Sequence, residues 1–490
     1  MESLPNEILN MIFGYLNDKE ALSIFWTCKR FAEVMSITRI KLAKQYYYPW
    51  NKPLVIGTNT NFFYRHNYWI VTNLPNNKFI LNLMKQNLLC RYLSISIDHL
   101  REFNENDIIN NIDHLWIYLH NSKQFPPILG KIKRLDVMNN CEFDSIDSLE
   151  NTEILYLGNT SIYNIYNSPN LHTLIINQRG QVRNIKNLTS LKILKIATFN
   201  YKNHKIKNIE FPDNLRKLKL SYILDTELSP NIPLNIEKLS LYECHHLKNI
   251  DHLLNLKRLQ KIKLANCDSI EEISAFRHIT NLIISTSRRL LFNIRDLQTF
   301  KNLRKLTLYR TQQIANLVIS PNLKVVKIYE CNIISGISKI ENLDKLKIKM
   351  CDKLTYITCI KNIKKLIISH CEKITTLSHI TNIDYLKLKG LSRLKLIKDC
   401  NAINSLYIDK NLDTTSINAL YDTQHIYLDS INIDFLKILK SLLNNNLKYL
   451  TTINGNKELI DEINKLKIEY NFNFIVNNIS VNNISKKNKL

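Results

Sequence analysis

The fold is decided by the stretch 343–408, which repeats one frame as LDKLKI (343–348), IKKLII (363–368), IDYLKL (383–388) and INSLYI (403–408). Each copy starts 20 residues after the previous one. Inside a copy apolar and polar residues alternate, as they do in a strand with one buried face. A short period that recurs many times predicts a solenoid, because one coil is too small to fold alone and must stack on its neighbours.

The same frame continues on both sides of this stretch. It gives about 17 units, nearly all of 20–24 residues, and Leu93 in Cys90-x-x-Leu93-x-Ile95 marks a worn first unit. After each strand the apolar residues recur every third position, which favours an extended or 3₁₀-like return and a thin convex side. The second apolar positions are Leu115, Leu135, Leu155, Leu174, Leu194, Leu218, Leu239, Ile262, Leu282, Leu306, Val326, Leu346, Leu366, Leu386, Leu406, Ile426 and Leu450.

This frame resembles the leucine-rich-repeat family, L-x-x-L-x-L-x-x-N/C, in which every repeat contributes one strand to a parallel sheet. The resemblance implies that the N/C position caps a turn and bonds the backbone of adjacent coils. Zinc is the alternative, because Cys244-His245-His246 and His370-Cys371 look like ligand pairs. The short paired motifs of zinc sites do not occur here, so we expect ladder cysteines and neither metal nor cofactor. The expected ladder residues are Cys244, Cys267, Cys331, Cys351 and Cys371.

The N-terminal segment has another pattern, LPNEILNMIFGYL (4–16), followed by Leu22 and CKRF (28–31). It resembles the F-box signature. That resemblance implies docking on a Skp-type adaptor and, through it, on a cullin-RING ubiquitin ligase. The alternative is a helical cap that closes the first coil. By motif position the adaptor-binding residues are Leu4, Pro5, Ile8, Leu9, Ile12, Phe13, Leu16 and Leu22.

The expected fold class is therefore an α/β repeat. F-box helices are followed by a leucine-rich-repeat solenoid with a parallel concave sheet and a short irregular or 3₁₀ convex side. The predicted domains are an F-box-like helical domain (1–45), an aromatic-rich linker or N-cap (46–88), the solenoid (89–455), and a C-terminal capping helix with a basic tail (456–490).

The residues between the inward apolar positions should form the concave face, because side chains alternate along a strand. Lysines dominate there and few acids interrupt them. Equivalent residues of neighbouring strands lie about 4.8 Å apart, so these lysines repel one another unless an anion meets them. We therefore expect an acidic or phosphorylated target protein. Solvated lysines on an AT-biased sequence are the alternative, and nucleic acid is less favoured because no base-reading module is present. The lysines are Lys217, Lys219, Lys238, Lys261, Lys263, Lys305, Lys327, Lys345, Lys347, Lys349, Lys365, Lys387 and Lys389, and Tyr242, Tyr309, Tyr329, Tyr385, Tyr407 and Tyr427 share their columns.

Composition limits the remaining function classes. The eight glycines are too scattered for a phosphate-binding loop, and neither G-x-S-x-G nor H-E-x-x-H occurs, so we expect a receptor subunit without catalysis. No uninterrupted apolar run reaches membrane-spanning length, and the first residues lack the features of a signal peptide. These patterns favour a cytoplasmic or nuclear protein that does not enter a membrane.

Overall fold

The computed structural model describes strand segments 69–71 and 92–96 and most of 112–479. Its described residues form two compact units that divide between Arg216 and Lys217. Within this part of the chain no helix has both the length and the apolar character needed to cross a membrane. The gaps after residue 112 are 120–124, 139–141, 159–160, 179–183, 199–208, 229–230, 271–276, 287–298, 312–319, 321, 410–422, 431–446, 454, 456 and 472.

The first unit is a parallel sheet with one strand per coil. Its strands pair in the order β1–β2–β3–β4–β6–β8–β9, while β5 and β7 form a separate parallel pair. A 3₁₀ helix at Pro127–Lys131 lies on the return side. The strands are β1 (Trp69–Val71), β2 (Tyr92–Ser96), β3 (His114–Tyr118), β4 (Arg134–Met138), β5 (Glu142–Ile146), β6 (Ile154–Gly158), β7 (Ser161–Ile165), β8 (Thr173–Gln178) and β9 (Ile193–Thr198).

The second unit also has one strand per coil on its main sheet, and β16, β17 and β18 each extend to 14 residues. Neighbouring strands pair in parallel from β10 to β23, with β18 pairing with β19 and then with β20. A 3₁₀ helix at Asp251–Asn255 and the α-helix α1 (Lys457–Glu469) are on the return side. The strands are β10 (Lys217–Ser221), β11 (Lys238–Tyr242), β12 (Lys261–Ala265), β13 (Asn281–Ser285), β14 (Lys305–Tyr309), β15 (Val325–Tyr329), β16 (Gly336–Lys349), β17 (Tyr356–Ser369), β18 (Thr376–Lys389), β19 (Leu396–Lys398), β20 (Asn401–Asp409), β21 (His425–Asp429), β22 (Tyr449–Ile453) and β23 (Ile475–Ile479).

The predicted register is confirmed inside each unit. Leu93 aligns with Leu115, and the series continues through the predicted second apolar positions to Leu194. In the second unit it runs from Leu218 to Leu450 without a slip. Most of these side chains are completely buried. Truncating one such leucine to alanine in a core of this kind costs about 2–5 kcal/mol.

The return side differs from the expected irregular or 3₁₀ path at β5 and β7 of the first unit and in part of the second unit. The 3₁₀ helices occur where expected, but the return segments of β16, β17 and β18 are themselves strands that pair from coil to coil. Gly336 aligns with Tyr356, and Ile340 with Ile360. The physical reason is the equal length of these coils, which places each return segment beside an identical backbone path with free hydrogen-bonding groups. An apolar period of three fits this arrangement as well as it fits a 3₁₀ helix.

The sheet also extends past both predicted boundaries of the solenoid. Strand β1 lies inside the predicted linker 46–88, and β23 follows α1 and pairs with β22. The helix α1 buries Leu459, Ile463 and Leu466 as an amphipathic helix should, yet it is not the last element. Strand β23 escaped prediction because backbone pairing does not require the leucine frame. Residues 1–45 and the tail 480–490 lie outside the described residues.

A left-handed corner follows strands β10–β18 and β21 of the second unit. The φ angles there include 53° at Met350, 52° at His370 and 62° at Gly390. The N–H of Met350 donates to the Ser369 carbonyl at 3.0 Å, which ties the corner to the next coil. Residues other than glycine adopt this conformation at a cost of roughly 1 kcal/mol or more. The interlocking of coils therefore holds strained corners in place.

The predicted cysteine ladder is present directly after this corner. All five cysteines are buried, and each thiol points to the carbonyl two residues earlier, as in Cys371 Sγ to Ser369 O at 3.5 Å. The backbone N–H of Cys351 donates to Cys371 Sγ at 3.4 Å. Burial raises the pKa of the Cys331 thiol. The ladder cysteines therefore serve as small buried residues, and the Cys371 thiol also bonds the backbone of the preceding coil.

An asparagine ladder occupies a second corner of the coils in β16, β17 and β18. The Nδ2 of Asn362 donates to Asn342 Oδ1 at 3.0 Å, and Asn382 Nδ2 donates to Asn362 Oδ1 at 2.7 Å. All three residues have left-handed φ angles of 55–59°. Asparagine tolerates this conformation better than most residues, so the ladder and the corner use the same side chain.

Candidate partner-binding face

The outward side chains of β10–β18 form three columns, here called the lysine face. The first column precedes the second apolar position, the middle column follows it, and the third column is two residues further on. All thirteen predicted lysines lie in these columns, and these strands place no Asp or Glu there. Tyr242, Tyr309 and Tyr329 are in the third column. The structure therefore brings the predicted lysines onto one surface.

The acids of these coils are at the corners and on the return side. Arg310 Nε is 2.6 Å from Glu330 Oε2, and Lys364 Nζ is 2.8 Å from Asp344 Oδ1. A codon bias would raise lysine content everywhere, but it would not remove acids from one face. The separation of charge therefore favours a selected surface over the compositional alternative.

Tyrosine rings hold several of the lysines. The Tyr242 ring lies between two ammonium groups, with Lys219 Nζ 4.3 Å and Lys263 Nζ 4.5 Å from its centroid. Lys347 Nζ is 5.2 Å from the Tyr329 ring, and Lys365 Nζ is 4.9 Å from the Tyr385 ring. These cation–π contacts restrict long side chains and keep their charges on the surface.

Four lysines on β15, β16 and β17 are here called the lysine cluster: Lys327, Lys345, Lys347 and Lys365. The pKa of Lys345 is lowered by partial burial and then by the charges of Lys365, Lys327 and Lys347. Each group in the cluster lacks an ion-pair partner within the described residues. The repulsion expected from the sequence is therefore present in the structure, and an anion would relieve it.

Lys389 differs from the other predicted site residues because it already has an acidic partner. Its Nζ lies 3.1 Å from Asp429 Oδ2, and Asp429 also accepts a hydrogen bond from the Tyr407 hydroxyl. Asp409 accepts a hydrogen bond from the backbone N–H of Gly390 at 3.0 Å. Both acids are buried, with exposures of 4% for Asp409 and 8% for Asp429. The free positive surface therefore ends before Lys389.

Aromatic side chains replace several of the lysines from β18 onward. The rings of Tyr385 and Tyr427 are 6.4 Å apart, and the His425 ring stacks on Tyr449 at 4.8 Å. Burial raises the pKa of Tyr385 to about 12. The sequence interpretation included Tyr385 and Tyr427 but missed His425 and Tyr449. Their position one residue before the second apolar residue is the signal that could have identified them.

The cysteine–histidine pairs are split between two sides of the chain. Cys244 is fully buried, whereas the exposed His245 has its Nε2 3.0 Å from Glu243 Oε2. Among the residues that the structure describes, no three His, Cys, Asp or Glu side chains are grouped closely enough to hold a metal ion. The sequence pairs therefore reflect one inward ladder residue beside one outward residue.

One corner column outside the lysine face places a thiol, an imidazole and a carboxylate in successive coils, at Cys359, His379 and Asp399. His379 Nε2 is 3.3 Å from Asp399 Oδ2, and both side chains are more than half exposed. The Cys359 thiol contacts the Thr358 hydroxyl at 3.6 Å. Water screens such an exposed pair, so the contact contributes little to the stability of the fold.

The predicted adaptor-binding residues lie outside the described residues. Leu4, Ile8 and the other members of that set therefore remain predictions from the sequence motif.

A comparison with known protein families agrees with this repeat architecture. Residues 208–337 match the family described as plant disease resistance protein RPS2-like, leucine-rich repeats. The chain therefore contains a leucine-rich-repeat domain, a parallel-sheet solenoid with little helix. No curated protein matches the chain.

Two solved structures from Listeria monocytogenes are similar to the chain. The internalin inlF is 17% identical, with 71% of this chain and 88% of that chain covered and a TM-score of 0.33. The functional domain of InlJ, which includes a cysteine ladder, is 16% identical, with 62% of this chain and 64% of that chain covered and a TM-score of 0.25.

Proposed function

We propose that the protein is a non-catalytic substrate-recognition subunit of an SCF-type E3 ubiquitin ligase. The lysine face is the observation that carries the target-binding half of this proposal, since leucine-rich-repeat domains are suited to protein-binding scaffolds. The F-box resemblance of residues 4–31 supports the ligase half. Such a receptor would work in the cytoplasm or the nucleus, where ubiquitin transfer takes place.

The proposed mechanism is proximity. The segment containing Ile8 and Ile12 docks on a Skp-type adaptor, and the lysine face holds a target protein near the cullin-RING module. Bond formation then happens on neighbouring subunits. The receptor increases the effective concentration of the target and needs no catalytic residue of its own.

A pull-down with the full chain tests the ligase half. The intact protein should capture a Skp-type adaptor, and the double variant Ile8→Asp, Ile12→Asp should lose it because charge replaces two apolar contacts. The matched control is Asn10→Asp, which adds charge at a variable motif position and should retain the adaptor. Failure of the intact protein to capture an adaptor would reject the ligase function.

The second candidate is a repeat scaffold that binds partners without ubiquitin transfer. The lysine face favours it independently, because target binding requires nothing from residues 1–45. Capture of a target by the intact chain, without adaptor or cullin in the same complex, would select this function.

A further inference from the structure

The lysine cluster lies in the part of the second unit whose surroundings are described without a gap, from 322 to 409. Lys327 and Lys347 occupy the middle column of adjacent strands, and Lys345 and Lys365 occupy the first column of adjacent strands. The four charges thus form a compact patch across β15, β16 and β17. Lys387 extends it to β18.

The use of lysine rather than arginine in the three columns favours carboxylates as the ligands of this face. The three columns of β10–β18 contain no arginine, while Arg216, Arg304 and Arg310 lie outside the columns. Arginine has a planar fork that matches phosphate with two hydrogen bonds, whereas lysine acts as a point charge. A surface selected for one phosphate group would gain from arginine. An array of lysines suits several charges spread along a chain.

The spacing fits an extended segment that crosses the strands. Three steps between adjacent strands, from β15 to β18, span roughly 14 Å. An extended chain rises about 3.3 Å per residue, so about four residues cover the same distance. Successive side chains of an extended segment point to opposite faces, so every second residue faces the lysines and about two carboxylates of such a segment reach the cluster. The ring contacts of Lys347 and Lys365 reduce the entropy lost when an anion binds.

We infer that the lysine cluster binds a short Asp/Glu-rich segment of the target, laid across β15–β18 in an extended conformation. This inference rests on the proposed function for the role of the target, but the binding itself requires neither adaptor nor ligase. The carboxylates replace the missing counter-charges of the cluster. Lys387 and the nearby tyrosines bound the site at one end.

Fluorescence anisotropy with the full chain tests the inference. The probe is a fluorescein-labelled octapeptide with four glutamates, and its comparison probe has glutamine at the same positions. The glutamate probe should bind at least about ten-fold more tightly than the glutamine probe and weaken as salt is added. Equal binding of both probes would overturn the inference.

Charge-reversal variants locate the site. Lys347→Glu with Lys365→Glu should weaken glutamate-probe binding by about ten-fold or more, since it inverts two charges of the patch. The control is Lys353→Glu with Lys373→Glu, which makes the same charge change at two exposed positions in successive coils outside the columns. The control should stay within about two-fold. Equal losses in both variants would show a net-charge effect and sink the proposed site.

Two further probes distinguish other anions. A phosphoserine octapeptide that binds more than ten-fold tighter than the glutamate peptide would transfer the site to phosphorylated targets, and tighter binding of a single-stranded DNA oligonucleotide would transfer it to nucleic acid. Either result overturns the assignment to an acidic segment. Adaptor capture should be unchanged in Lys347→Glu with Lys365→Glu, so failure of this inference is separate from failure of the ligase function.

Discussion

Lys389 Nζ and Asp429 Oδ2 are 3.1 Å apart, although 40 residues separate them in the chain. The parallel stacking of β18, β20 and β21 brings them together. This ion pair neutralises the final lysine of the face. It marks the place where the basic surface gives way to aromatic and acidic residues.

The contact between Lys389 and Asp429 should make the unfolding free energy depend on pH, and replacing Asp429 should remove that dependence. Burial opposes the charged form, but hydrogen bonds from Tyr407, Lys389 and Ser430 outweigh it and lower the pKa of Asp429. A lowered folded-state pKa contributes stability that is present above roughly pH 4 and is lost as the pH falls through the folded value. Asp429→Asn should therefore lower the unfolding free energy by about 1–2 kcal/mol at neutral pH.

Denaturant titration at several pH values checks this prediction. The difference between the intact protein and Asp429→Asn should be constant above about pH 5 and shrink below about pH 4. A difference that grows on acidification would contradict the proposed role of the carboxylate.

The left-handed corner at Met350 should be improved by glycine. Met350 has a φ of 53° and a half-exposed side chain, so its replacement removes backbone strain with little loss of packing. Met350→Gly should raise the unfolding free energy by roughly 0.5–1 kcal/mol. The reverse control is Gly390→Ala, where φ is 62° and an added Cβ would lie 2.7 Å from His370 Nδ1. Thermal unfolding should give a higher Tm for the first variant and a lower Tm for the second; the same sign for both would reject the strain argument.

Loss of one ladder thiol should cost more than loss of a thiol at a different corner. Cys371→Ala removes the acceptor of the buried Cys351 N–H and should lower stability by about 1–3 kcal/mol. Cys359→Ala, at a partly exposed corner, should change it by less than about 0.5 kcal/mol. Cys371→Ser restores an acceptor and should recover part of the loss. Denaturation under reducing conditions measures all three, and equal effects of the two alanine variants would argue against the ladder.

The asparagine ladder stops where the next equivalent residue is Ala402, which also has a left-handed φ of 52°. Ala402→Asn would supply an amide beside Asn382 at a corner that asparagine tolerates well. We expect a gain of about 0.5–1 kcal/mol, whereas Asn362→Ala should lose about 1–2 kcal/mol because two hydrogen bonds disappear. Denaturation curves of both variants and the intact protein measure these changes in unfolding free energy. Destabilisation by Ala402→Asn would show that the ladder depends on more than its amides.

Much of the fold could be predicted because two periods can be recognised in the sequence without knowledge of any tertiary contact. Alternation within a strand and the recurrence every 20 residues are enough to place Leu346 beside Leu366 and Lys345 beside Lys365, as the observed register does. The inward thiols were predicted from the resemblance to the leucine-rich-repeat frame, in which the N/C position caps a turn. The composition of the lysine face followed directly from these registers.

The remaining features depend on contacts that no local pattern encodes. The return sheet at Ile340 and Ile360 needs the backbone path, because a period of three is compatible with strand and 3₁₀ helix alike. The loss of Lys389 from the free surface depends on Asp429, which lies two coils away. Strand β23 pairs with β22 through its backbone and the Asn478 side chain, so the leucine frame carries no signal of it.

The equal spacing of Leu346, Leu366, Leu386 and Leu406 has an evolutionary consequence. A coil that begins and ends at the same corner can be lost or duplicated in frame while both new neighbours still find matching hydrogen-bond partners and ladder positions. Each such event would shift or lengthen the charged surface by one strand. Duplication of a coil can therefore lengthen the charged surface of the protein without any amino-acid substitution.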